Sequence, residues 1–214
     1  MGSVWALVST ALAWDVARTE AGDTIRWVEA PVEWQLAVSG APAELDVGGA
    51  AVAATAAWQG VPGAELAFFQ APDIDLGGPA TGTVWWDAER TSIPDDQVAY
   101  ATIWSTDGAI FAFDVAVDPT VEWATDGHSD RYDLQAVLTH EVGHVLGFLH
   151  SDVEGAVMMP GKARGDLDGR VLAEDDEAAA VTVYPDLPAL LPEGCSSGAL
   201  PFACVLGLLR RRTS

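Results

Sequence analysis

Hydrophobic and polar residues alternate over residues 24–28 and 32–38. A period of two predicts half-buried strands, and Ser39-Gly40 ends the second. Residues 50–59 are rich in alanine, and Gly60 follows them; this predicts a helix with its stop signal. Three β-rich segments come next, at 83–86, 98–104 and 110–117, separated by Gly, Pro and Asp. A helix follows, for which Asp133 is a good N-cap. A last helix is expected at about 173–184. Strands first and helices after describe an α+β layout, and no internal repeat is present.

The helix opened by Asp133 carries His140-Glu141-Val142-Gly143-His144-Val145-Leu146-Gly147-Phe148-Leu149-His150, the pattern H-E-x-x-H-x-x-G-x-x-H. Residues four apart share a helix face, so His140 and His144 lie side by side and can share one metal ion. Glu141 sits about 100° further round, close to that metal but poorly placed to ligate it, as suits a base acting on water. Gly147 can take a positive φ and end the helix, which lets His150 return as a third nitrogen. Three neutral nitrogens and one open position describe a catalytic zinc site, since structural sites are closed by four protein ligands. Three of the four histidines in the chain fall in this pattern. The fourth, His128, stands in a polar loop and is expected at the surface.

These residues, with Ser151 and the run Ala156-Val157-Met158-Met159-Pro160, resemble the metzincin zinc endopeptidases, and within them the matrixin branch of matrix metalloproteinase type. The resemblance covers about residues 97–185. It includes Phe113-Asp114 and Val121-Glu122-Trp123 upstream, and Gly165-Asp166-Leu167-Asp168-Gly169 and Leu172-Ala173-Glu174-Asp175-Asp176 downstream. It implies a metzincin-like catalytic domain: a twisted, mostly parallel sheet, an active-site helix, a Met-turn and a C-terminal helix. It makes Met158 the Met-turn methionine, a packing residue beneath the zinc ligands. Ala173 departs from the serine often found there, so that helix needs another cap. The implied activity is hydrolysis of peptide bonds by a zinc-activated water, with Glu141 as general base and His140, His144 and His150 as metal ligands. The substrate is then a peptide or protein. By resemblance it lies along the edge of a strand at 97–104, although those residues also fit an ordinary amphipathic strand. The loop 160–171 is expected to wall the primed side. The alternative is a surface or adhesion module that holds zinc without cutting peptides; the presence of Glu141 argues against it.

Charge narrows the partners. The chain of 214 residues has 10 Lys+Arg and 32 Asp+Glu. Three of the basic residues are Arg210, Arg211 and Arg212, so residues 1–209 hold seven basic against 32 acidic groups, a net −25. Such a body repels nucleic acid and anionic membranes. The acidic pairs Asp73/Asp75, Asp95/Asp96 and Asp166/Asp168 are candidate Ca2+ ligands by resemblance, or simply solvated loops, since none completes a calcium loop. The nine tryptophans are expected to pack the core and sheet faces.

The length suits one catalytic domain, expected at 14–186, as a monomer. Residues 1–13 close on Ala11-Leu12-Ala13 and read as a signal peptide, though without a basic start. Residues 187–214 join a Pro/Leu linker to Cys195, an apolar run and the three arginines. This resembles the C-terminal sorting tails of exported myxobacterial proteins. The apolar run is about half of what a membrane helix needs. The expectation is therefore an exported protein, secreted or held at the cell surface, with no stable span in its mature form. No cysteine precedes the histidine motif, so control by a cysteine switch within this chain is not expected.

Overall fold

A computed structural model describes residues 14–73 and 82–186. The expectations for 1–13 and 187–214, and for Asp75, lie outside the described residues. In chain order the elements are β1 (Arg26–Trp27), β2 (Val32–Leu36), α1 (Val47–Gln59), β3 (Phe68–Gln70), β4 (Thr83–Trp86), β5 (Ala99–Thr106), β6 (Ala109–Val117), β7 (Trp123–Ala124), β8 (Tyr132–Asp133), α2 (Leu134–Val145) and α3 (Glu174–Val183). A short 3-10 turn, Asp168–Arg170, lies between α2 and α3.

The hub of the six-stranded sheet is β6, which pairs parallel with β1 near its start and with β4 near its end. Beyond β4 come β2 and then β3, both parallel. Only β5 runs antiparallel, on the other side of β6. The fold is thus α+β with a mostly parallel sheet, as expected from the resemblance. A hairpin joins β5 to β6 through Asp107 (φ 52°) and Gly108 (φ 80°). Both central residues take positive φ, the two-residue turn whose twist matches paired strands and that favours Asp-Gly. This tight turn leaves β5 at the sheet edge, with the side facing away from β6 open.

The main core lies between the sheet and the helix pair α1 and α2. Trp58 of α1 is fully buried, donates Nε1–H to the Thr139 carbonyl of α2 at 2.8 Å, and stacks on Phe148 at 5.2 Å. Burying a ring of that size contributes roughly 5 kcal/mol. A smaller cluster of Ala37, Trp85, Ile93 and Ala116 is separate from this core. All four residues of β4 are buried, the pattern of a strand covered on both faces.

The sequence-based boundaries need some correction. α1 begins at Val47 rather than residue 50, because Asp46 accepts from the Gly49 N–H at 2.9 Å and caps the helix through Gly48-Gly49. The strand expected at 24–28 forms a ladder only over Arg26–Trp27, with Thr24 in an isolated bridge to Arg18. β5 extends to Thr106, beyond the expected end at 104. β3, β7 and β8 are additional strands of two or three residues, too short to show a period. Among the described residues, no helix is long and apolar enough to cross a membrane.

Candidate metal centre

α2 starts where Asp133 accepts from the Ala136 N–H at 2.9 Å. Asp133 also pairs with Arg170, which ties the later loop to this helix start. Past the C-cap Leu146, Gly147 with φ 89° closes the helix. The Gly147 N–H donates to the His144 carbonyl at 2.9 Å, and the Phe148 N–H to the Gly143 carbonyl at 3.0 Å. This nested pair is the Schellman end that left-handed glycine permits. A Cβ on Gly147 would also collide with the Ile25 carbonyl. The turn sends the chain back so that His150 faces His144.

His140, His144 and His150 come together: their ligand nitrogens all lie within 4.8 Å of one another. Ring centroids are 4.7 Å apart for His140–His144, 5.2 Å for His140–His150 and 4.9 Å for His144–His150. Two of the tautomers follow from their partners. His140 donates Nδ1–H to the Val157 carbonyl at 2.6 Å, and His144 donates Nδ1–H to the Phe148 carbonyl at 2.8 Å. A carbonyl only accepts, so each Nε2 carries a lone pair turned inward. Such partners are what orient metal-binding imidazoles. His144 Nε2 and His150 Nε2 stand 3.2 Å apart. Two nitrogens each about 2.05 Å from a tetrahedral zinc lie about 3.3 Å apart. The donor set, tautomers and spacing therefore fit zinc.

The electrostatics agree with a site that stays neutral until loaded. Burial, followed by the neighbouring His144, pushes the His140 imidazole down to about 3. Burial lowers His144 as well. Glu141 is buried beside the triad on α2. Burial pushes its carboxyl up to about 8, against a hydrogen bond from the Ala101 backbone that favours the ionised form. Ala101 belongs to β5, so the carboxylate of Glu141 faces the open edge strand.

Met158 is almost fully buried, with its Sδ where a Cβ on Gly143 of α2 would stand. The run from Ala156 to Met159 turns on the Met159 N–H to Ala156 carbonyl bond at 3.1 Å. Asp176 fixes this turn from α3: its carboxylate accepts from the N–H groups of Val157 at 2.7 Å and Met158 at 3.0 Å, and from Ala173 at 2.9 Å. The last bond is the return half of a capping box; the side chain of Ala173, lacking a hydroxyl, accepts from no N–H of α3. Asp175 accepts from the Ser151 hydroxyl at 2.7 Å. The position of His140 thus depends on a buried acid 36 residues later in the chain, through the carbonyl of Val157.

Gly143 was not singled out from the sequence, yet the site depends on it. A Cβ there would collide with Met158 Sδ and lie 2.9 Å from Trp58 Cζ2. Its position between the two metal-facing histidines was the available signal. His128 is exposed and stands outside the triad. Met159 is partly exposed. The calcium expectation finds no support: among the described residues, the three histidines are the single group that gathers three possible ligands. Arg90 instead holds the loop before β5. It pairs with buried Asp118 and donates to the carbonyls of Pro94 at 3.0 Å and Gln97 at 3.2 Å.

Residues 87–185 match the family model described as Matrixin, a little under half of the chain. The match ends where the resemblance ended and starts ten residues earlier, taking in the loop held by Arg90. Metalloendoproteinase 5-MMP of Arabidopsis thaliana is 50% identical over 56 residues, covering 26% of this chain and 15% of the relative. Matrix metalloproteinase-27 of Homo sapiens is 32% identical over 91 residues, covering 42% and 17%. Matrilysin of Mus musculus is 38% identical over 63 residues, covering 29% and 24%. The chain therefore matches a quarter or less of each relative's length. Over that stretch it is similar to the metallopeptidases of the matrixin family.

Proposed function

We propose that this chain is a zinc-dependent endopeptidase in which His140, His144 and His150 hold the metal and Glu141 is the general base. The single observation that carries this reading is the inward-facing nitrogen cup, with its tautomers set by the Val157 and Phe148 carbonyls and a buried carboxylate beside it. When bound, zinc supplies Lewis acidity, which makes water a nucleophile at neutral pH and polarises a carbonyl. The chain's own residues do the remainder. Glu141 accepts a proton at its carboxylate and returns it to the leaving amine. The Ala101 N–H holds that carboxylate toward β5. The open edge of β5 offers backbone donors and acceptors to an extended peptide, so the scissile bond is presented between strand and cup. Met158 and Asp176 hold His140 through the Met-turn. A module that only stored zinc would have no use for a carboxyl buried at such cost.

A peptide mixture incubated with the full chain, with zinc and then with excess chelator, tests the reading. Cleavage is expected with zinc and should stop with chelator. A folded chain that binds one zinc per molecule and cuts nothing in the mixture would favour the non-catalytic module.

A further inference from the structure

The loop 160–171 carries three cations, and they are treated differently. Arg164 pairs with Glu122 at 3.1 Å and donates to the Asp130 carbonyl at 2.7 Å. Arg170 pairs with Asp133 and donates to the Thr125 carbonyl at 2.8 Å. These bonds, with the Gly165 N–H donated to the Arg131 carbonyl at 2.8 Å, dock the loop along α2 and the segment before it. Lys162 is the exception. It is half-buried and, among the described residues, makes no ion pair; its Nζ donates to the Ala156 carbonyl at 3.3 Å. Ala156 is one residue before Val157, the residue whose carbonyl orients His140. The ammonium therefore folds back over the Met-turn, next to the metal cup, and its charge is felt at His140. Asp166, Asp176 and Asp168 act on it at longer range, none close enough to pair.

The two flanks of the cup thus carry different groups. Glu141 and the Ala101 N–H occupy the β5 side. Lys162 stands on the side of the Met-turn and loop. A peptide added to the edge of β5 continues the sheet, and alternate side chains of a strand point to opposite faces. One side chain beside the scissile bond is thereby directed into the layer of α2 and the Met-turn, where the free ammonium is. A desolvated cation with a single neutral acceptor is best completed by a carboxylate, which gives a charge-assisted hydrogen bond. Resting on the peptidase reading above, we infer that Lys162 is a specificity residue selecting Asp or Glu beside the scissile bond. This preference opposes the general field of the protein: ten basic against 32 acidic groups repel acidic proteins at a distance. The favoured substrate is therefore a neutral or basic protein with an isolated acid at the cleavage point.

The test uses the zinc-loaded full chain on a peptide library, then on matched peptides with Glu or Gln beside the cleaved bond. The ratio of kcat/KM for Glu over Gln is expected to be about tenfold. It should fall toward one in Lys162→Met, which keeps much of the apolar stem, and library preference should move to Lys or Arg in Lys162→Glu. Binding of the same peptides to Glu141→Gln, measured by calorimetry, gives a second reading that needs no turnover. Cleavage without acidic preference, or a preference that persists in Lys162→Met, overturns the inference while leaving the peptidase intact. If nothing is cleaved the peptidase reading falls, and the binding arm alone decides: tighter binding of the Glu peptide that depends on Lys162 supports the site, and equal binding overturns it.

Discussion

Replacing Gly143 with alanine adds one methyl at a point where α2 has no room. The new Cβ would overlap Met158 Sδ and lie 2.9 Å from Trp58 Cζ2. Trp58 cannot easily retreat, because its Nε1–H is bound to Thr139 on the same helix and its ring is stacked on Phe148. Met158 must move instead, and the residue before it, Val157, holds His140 through its carbonyl. Overpacking of this kind costs about 1–3 kcal/mol, and alanine's better helix propensity offsets up to about 1 kcal/mol of it. The net expectation is a loss of about 1–2 kcal/mol in urea unfolding followed by tryptophan fluorescence, with weakened zinc affinity. Met158→Ala alone leaves a cavity and should cost about 2–4 kcal/mol. In the double variant the added methyl enters that cavity, so the two losses should fall short of their sum by about 1–2 kcal/mol. A Gly143→Ala protein as stable as the parent, or losses additive within about 0.5 kcal/mol, would refute this account of how the Met-turn supports the site.

Arg90→Ala should destabilise the chain by about 3 kcal/mol in the same unfolding assay, because it leaves the carboxylate of Asp118 buried without its cation; a loss under 1 kcal/mol would show the pair to be incidental. Asp176→Ala removes the acceptor for three N–H groups and should lower zinc affinity at least tenfold by equilibrium titration, as loss of an outer partner does; unchanged affinity would mean the Met-turn holds itself. The pH dependence of the metal-free chain has a definite sign. With its folded pKa raised to about 8, the Glu141 carboxyl is protonated in the folded state where the unfolded chain has ionised it, so stability is lost as pH rises from about 4.5 to about 8. Between pH 6.5 and 8 this amounts to about 2 kcal/mol. His140 acts oppositely but below that window, losing stability as pH falls from 6.5 toward about 3. Glu141→Gln should flatten the stability curve between pH 6.5 and 8, and a slope that persists in the variant would deny Glu141 its buried, neutral state.

What was legible in the sequence was local. His140 and His144 follow from helix spacing, and Gly147 has a steric role that few other residues can fill, so the turn that returns His150 could be read before any coordinates. Asp133 as a cap and the β-rich composition of 110–117 were equally local signals. The remaining features depend on contacts distant in sequence. β3, β7 and β8 exist because a neighbouring strand supplies hydrogen bonds, and two or three residues carry no period. Asp176 looks like one more acid in the acidic first turn of α3, and only the fold shows it gripping Val157 and Met158. Gly143 falls at a position the histidine pattern leaves free, and its need to lack a side chain appears only once Trp58 and Met158 close on it. Lys162 could not be told from Arg164 and Arg170 until their partners were known.

The most direct test of the central claim compares the zinc-loaded chain with zinc-loaded Glu141→Gln on one cleaved peptide, after metal analysis has shown equal zinc content. The account predicts that the variant binds zinc and peptide as the parent does and loses at least 99% of turnover, roughly the contribution of a positioned general base. Turnover within tenfold of the parent at equal zinc content would contradict it.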